Sequence, residues 1–127
     1  MYITEISKKL KITARAIRHY EEIGIIKSKR LANNYRYFDE ANIDKLKFLV
    51  RARNLGFSLE ECRELIKLFQ NNNRKSENVR NIAKNKLKNI TKQINELKDL
   101  KKSLEWLVMK CPGNNRPDCP IIDELAK

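Results

Sequence analysis

Two cysteines, Cys111 and Cys119, bracket the turn-rich run Pro-Gly-Asn-Asn-Arg-Pro-Asp towards the C-terminal end of the chain. Thiolates are soft ligands, and the chemistry they suit is capture of a soft metal ion. A closed tetrahedral zinc site takes four ligands drawn from Cys, His and carboxylate. This loop offers two sulfurs, no histidine and one carboxylate, Asp118. A monovalent d10 ion such as Cu(I) can be satisfied by two thiolates in a near-linear arrangement, whereas a divalent ion held by the same pair would be neutral and under-coordinated. A disulfide, or a pair of buried inert cysteines, is the competing reading. Pro120 suits the first position of a short helix over residues 120–126. Cys119 would then lie beside free helix amides, which favour a thiolate and equally a bis-thiolate Cu(I) centre carrying a single negative charge. Lys110 and Arg116 add to that positive field.

What surrounds this loop is strongly basic. Across 127 residues the formal charge is +12, with 35% charged and 41% hydrophobic residues and only three glycines and three prolines. That composition describes a helix-rich chain, far too poor in Gly and Pro for an all-β fold. The length allows one domain, or a small domain with an oligomerisation element, and argues against a multi-domain enzyme. The charge points to a polyanion, nucleic acid first and an acidic membrane surface second. No apolar stretch approaches a membrane span and no signal peptide opens the chain, so a cytoplasmic protein with reduced cysteines is expected. No histidine beside a nucleophile, Gly-rich phosphate loop or convergent carboxylate pair supports an enzyme.

The first seventy residues read as a DNA-binding unit. Thr4 is expected to cap a helix through Leu10, and Thr13 a second helix from Ala14 to Ile23 that ends at Gly24. Two short helices this close have the spacing of a helix-turn-helix, whose second helix enters the major groove. Arg15, Arg18 and His19 project from one side of that helix, while Ala16, Ile17 and Ile23 can pack inward. Ile25-Ile26 and Tyr35-Arg36-Tyr37-Phe38 are β-prone runs separated by the basic stretch 27–34, and Asn33-Asn34 tolerates positive φ, so a hairpin wing is expected. Asp39 begins a third helix to about Asn54, which Gly56 stops. Ser58 and Glu61 have capping-box spacing for a fourth helix through Phe69, with Cys62 on its apolar stripe as a core residue.

After a polar break at 70–75 the pattern stays helical from Ser76 to about Met109. Leu87, Ile94, Lys101 and Val108 fall on one seam line, and Ala83, Ile90, Leu97 and Leu104 on the other, which is an a/d heptad with one polar position. A helix of that length is roughly 50 Å long. No other helix in so small a chain can cover its seam, so a second copy is the economical partner.

These parts in this order resemble the MerR family of bacterial transcription activators. The residues that carry the resemblance are Ala16-Ile-Arg-His-Tyr-Glu-Glu-Ile-Gly24, Asn34-Tyr-Arg36 and Arg51-Ala-Arg-Asn-Leu-Gly-Phe-Ser-Leu-Glu-Glu61. Cys111-Pro-Gly and Asp118-Cys-Pro-Ile-Ile122 look like the copper-efflux regulator branch, which senses Cu(I), Ag(I) and Au(I). The resemblance implies a mainly α chain: a winged helix-turn-helix DNA-binding domain at 1–70, a linker and antiparallel coiled-coil dimerisation helix at 71–109, and a metal-binding loop and terminal helix at 110–127. It implies a homodimer that bends and untwists promoter DNA for RNA polymerase when metal is bound. By position, Arg15, Arg18, His19, Tyr20, Tyr35, Arg36 and Arg53 match family DNA-contact positions, and Arg30 matches more loosely. Ser76 matches the position where divalent-ion members carry a cysteine from the partner subunit, and a serine there withholds the third sulfur. The wing is one residue shorter than in copper sensors of the family, with Asn34 where they often have glycine.

The expectation is therefore a cytoplasmic, homodimeric, Cu(I)-responsive transcription activator with Cys111 and Cys119 as ligands. A zinc- or redox-responsive regulator using the same cysteines is the rival within DNA binding. A copper-buffering protein is the rival outside it, although such a protein would not need Arg18, Tyr35 and Arg36 arranged as a reading head.

Overall fold

Local capping groups set several of the helix boundaries in the computed structural model, which describes all residues from Met1 to Lys127. Six helices and one hairpin follow in order: α1 (Ile3–Leu10), α2 (Ala14–Glu22), β1 (Lys29–Arg30), β2 (Arg36–Tyr37), α3 (Glu40–Asn54), α4 (Leu59–Gln70), α5 (Ser76–Lys110) and α6 (Pro120–Leu125). Thr13 Oγ1 accepts from the Ala16 amide at 3.0 Å to start α2. The Asp39 carboxylate does the same for Asn42 at the start of α3. Ser58 and Glu61 exchange both bonds of a capping box ahead of α4. Each satisfies amides that a helix start otherwise leaves without partners.

The ends of α2 and α3 are built alike. Gly24 lies at φ +82° and Gly56 at φ +91°. The Gly24 amide donates to Glu21 O and the Ile25 amide to Tyr20 O; Gly56 and Phe57 repeat the pair on Arg53 and Ala52. This is the Schellman arrangement, which needs a left-handed residue just past the helix.

Two expectations are corrected. Thr4 does not cap α1; the N-cap is Tyr2, with no side-chain bond, and Thr4 lies within the first turn. The start is set by tertiary pairing, because Tyr2 bridges Tyr37, and Met1 and Phe38 exchange backbone hydrogen bonds. The wing strands are also displaced. Ile25 and Ile26 do not pair as a strand but are buried in the core. The hairpin forms further on, with Lys29 opposite Tyr37 and Arg30 opposite Arg36. Sequence periodicity cannot separate a short buried run from a strand, and here the Schellman turn at Gly24 sends both isoleucines inward. Asn34 supplies the positive φ of the hairpin turn, at +65°.

Residues Met1–Ile82 and Ala83–Lys127 form two compact units. The core of the first is built from Ile6, Ile17, Ile26, Phe38, Leu46, Leu49 and Cys62, each no more than 1% exposed. Cys62 is thus a packed core residue. Val79 and Ile82, on the first turns of α5, pack against this core. The second unit has a different character: no residue of α5 is buried, and Leu87, Leu97 and Leu104 are 64%, 64% and 58% exposed.

Candidate nucleic-acid interface and thiol pair

On α2, Ile17 is buried while Arg15, Arg18 and His19 are exposed, so one face anchors the helix and the other is free to read a partner. Tyr20 is half-buried and packs against the core, and its ring lies 6.1 Å from that of His19. The wing sits beside this face. Tyr2, Thr4, Arg18, Tyr35 and Arg36 line a groove of about 450 Å³. Tyr2 packs edge-on against Tyr35 and Tyr37, at 6.4 and 5.7 Å between ring centroids.

Of the remaining basic candidates, Arg30 and Arg53 are braced by the backbone and Arg36 by a carboxylate. Arg30 Nη1 donates to Asn34 O across the hairpin turn at 2.7 Å. Arg53 Nη1 donates to Phe57 O at 3.0 Å, steadying the link between α3 and α4. Arg36 Nε pairs with Glu21 Oε1 at 3.0 Å. Tyr2, Thr4, Glu21 and Ser28 also belong to this region, and sequence reasoning missed them. Nothing in the sequence around Tyr2, the only aromatic among the first ten residues, signals this placement.

The thiol pair is made by helix ends. The Cys111 amide donates to Leu107 O, which continues the last turn of α5, and the carbonyl of Cys119 accepts from Asp123, which starts α6. Between them the chain turns through Gly113 at φ +61° and an Asn114 side chain that accepts from the Arg116 amide. The two Sγ atoms lie 3.3 Å apart. Both cysteines are half-buried and neither is in a disulfide.

The Cys119 thiol is held below the ordinary thiol range, first by the Ile122 amide, then by a hydrogen bond from Cys111 and by the Ile121 amide, while partial desolvation and Asp123 oppose. The N-terminal amides of α6 therefore act as expected. The contribution expected of Lys110 is not among these causes; its ammonium lies 5.9 Å from the Trp106 ring centroid. No group of three His, Cys, Asp or Glu side chains converges anywhere in the chain. Asp118 does not join the sulfurs as a third ligand. Ser76 is exposed at the first position of α5.

A helix-turn-helix with a wing on a basic, arginine-studded face defines a DNA-binding protein of the winged helix-turn-helix class. The chain belongs to the MerR family: it matches the MerR HTH family regulatory protein pattern over residues 1–68 and the pattern described as MerR, DNA binding over residues 43–107. It is 47% identical over 126 residues to the HTH-type transcriptional regulator HmrR of Rhizobium leguminosarum bv. viciae, covering 99% of this chain and 98% of that one. To the HTH-type transcriptional regulator CueR of Salmonella typhimurium it is 39% identical, covering 99% and 92%. The fold is similar to that of the transcription regulator PbrR691 of Ralstonia metallidurans CH34 in complex with lead(II), with a TM-score of 0.83, 26% identity and 98% of each chain covered. These relatives are transcription regulators, not enzymes. No helix is long and apolar enough to cross a membrane.

Proposed function

We propose that this protein is a cytoplasmic, homodimeric transcription activator that responds to monovalent copper held by Cys111 and Cys119, with Ag(I) and Au(I) as ions of the same chemistry. The observation that carries the reading is the sulfur pair: two half-buried thiols 3.3 Å apart, one of them held below the ordinary thiol range first by the Ile122 amide of α6, with no third His, Cys, Asp or Glu converging on them within the chain. That donor set fits a soft ion satisfied by two sulfurs better than zinc. Ser76, where the family resemblance places a third sulfur from the partner subunit in divalent-ion sensors, offers only a hydroxyl.

The remaining residues do the DNA work. Arg15, Arg18, His19 and Tyr20 on α2, Arg30, Tyr35 and Arg36 on the wing, and Arg53 supply contacts to bases and phosphates, while the apolar seam of α5 pairs two copies. Fixing both thiolates on one ion ties the end of α5 to the start of α6. This switches transcription only if it favours one dimer geometry over another, because a ligand with equal affinity for two states shifts neither. RNA polymerase on the same promoter then reads the DNA distortion.

An anaerobic Cu(I) titration against a competing chelator, with Zn(II) in parallel, tests the reading on wild type, Cys111→Ser and Cys119→Ser. One tightly held Cu(I) per subunit, lost in both variants and unmatched by zinc, is the expected result. Comparable zinc binding, or copper binding that survives either substitution, overturns the monovalent assignment. The closeness of the sulfurs also favours a second reading, a thiol–disulfide sensor using the same pair. In that case promoter binding would respond to oxidant without added metal.

A further inference from the structure

The Glu21 carboxylate, on the last turn of α2, is shared between two partners from the wing side. Its Oε1 pairs with Arg36 Nε at 3.0 Å, and its Oε2 accepts a hydrogen bond from Ser28 Oγ. Glu21 and Arg36 are 22% and 29% exposed in their side chains, so the pair is partly screened and adds little to stability. Its effect is on direction. A guanidinium is a rigid planar fork of five N–H donors. With Nε–H committed to Glu21, the two Nη groups remain at the open end of the fork, and Arg36 lines the groove that also contains Arg18 and Tyr35.

We propose that Glu21 is a positioning residue for DNA binding: it holds Arg36 by its Nε edge so that the Nη edge meets a backbone phosphate. The inference rests on the reading of α2 and the wing as the DNA-binding face. Its consequence has the opposite sign to simple charge arithmetic. An acid beside a polyanion repels it, so deleting the acid should tighten binding; if Glu21 aims Arg36, deleting it weakens binding instead.

A phosphate contact carries no sequence information, so a fluorescein-labelled 30-base-pair duplex of mixed sequence reports it by anisotropy across a salt series. Glu21→Gln is expected to weaken binding about tenfold or more, the loss of one charge-assisted hydrogen bond per subunit. The slope of log affinity against log salt should fall by about 0.9 for each phosphate that Arg36 ceases to neutralise. In an Arg36→Ala background the same substitution should cause no weakening. Glu21→Asp keeps the charge but withdraws the carboxylate by one methylene; it should also weaken binding, and it serves if the Gln variant does not fold. Unchanged or tighter binding by Glu21→Gln, unchanged binding by Glu21→Asp, or an equal loss with and without Arg36 overturns the proposal. Wild-type protein that does not bind the duplex at all would instead overturn the DNA-binding reading, and that result precedes any substitution.

Discussion

Arg63 Nη2 donates a 2.6 Å hydrogen bond to the carbonyl of Ile23, forty residues earlier in the chain. Ile23 is the C-cap of α2, and its carbonyl is one of those a helix end leaves without an intrahelical partner. The bond puts a cation at the negative end of the recognition helix and ties that helix to α4. Arg63→Ala should lower the unfolding free energy by about 1–2 kcal/mol, measured by urea titration. If the bond also fixes the tilt of α2, affinity for DNA falls with it.

Gly24 offers a cleaner backbone test. A methyl group placed there would meet nothing within 4 Å, yet φ is +82°. Any cost of Gly24→Ala is therefore conformational, about 1–2 kcal/mol. Gly24→Asn should cost less, because Asn tolerates the left-handed region. Thermal unfolding of the two variants gives the ranking, and an Asn variant as damaged as the Ala one would show that something other than φ is at stake.

What could be read in advance divides along the range of the interaction. Thr13, Asp39 and Ser58 act on amides three residues away, so their residue types announce the helix starts. Gly24, Gly56 and Asn34 announce left-handed turns for the same reason. The closeness of Cys111 and Cys119 follows from two helix ends and a short turn, all local. Thr4 misled because the start of α1 is set by pairing between Tyr2 and Tyr37, thirty-five positions apart. Ile25-Ile26 looked like a strand because a buried run and a strand share the same composition. Glu21 with Arg36, and Arg63 with Ile23, carry no sequence signature, since each joins elements whose spatial relation exists only once the chain has folded.

The lowered Cys119 thiol predicts a definite pH response. Its folded pKa lies below the unfolded one, chiefly through the nearby Ile122 amide and next through the Cys111 thiol 3.3 Å away. The folded chain therefore releases this proton at lower pH than the unfolded chain. The stabilisation is complete above the unfolded thiol value and is lost as the pH falls through the folded value. Thiolate absorbance followed against pH in Cys62→Ala protein should show Cys119 ionising below the usual thiol range. Cys111→Ser removes the sulfur neighbour but leaves the amide, so the Cys119 midpoint should remain depressed. A midpoint returned fully to the ordinary range would contradict the helix-amide account.

Lys101 is the polar residue on the apolar seam of α5. Seven-residue steps align it with Leu87, Ile94 and Val108, and within the chain its ammonium makes only a 3.7 Å pair with Glu105 one turn on, between side chains 77% and 63% exposed. Such a pair is worth little. If the seam is where two copies meet, a lysine there costs stability and can serve to set register. Lys101→Leu should then tighten the dimer by about 1 kcal/mol or more, roughly fivefold in dissociation constant. Leu97→Glu, a charge on the other seam line, should instead produce monomer at micromolar concentration. Sedimentation equilibrium on both variants provides a two-sided test, since a helix face left to solvent would show neither change. Should Lys101→Leu tighten the dimer yet weaken the response of promoter binding to added metal, the lysine's place on the seam would be explained by switching: a dimer held too firmly in one geometry has less freedom for a bound ion to shift.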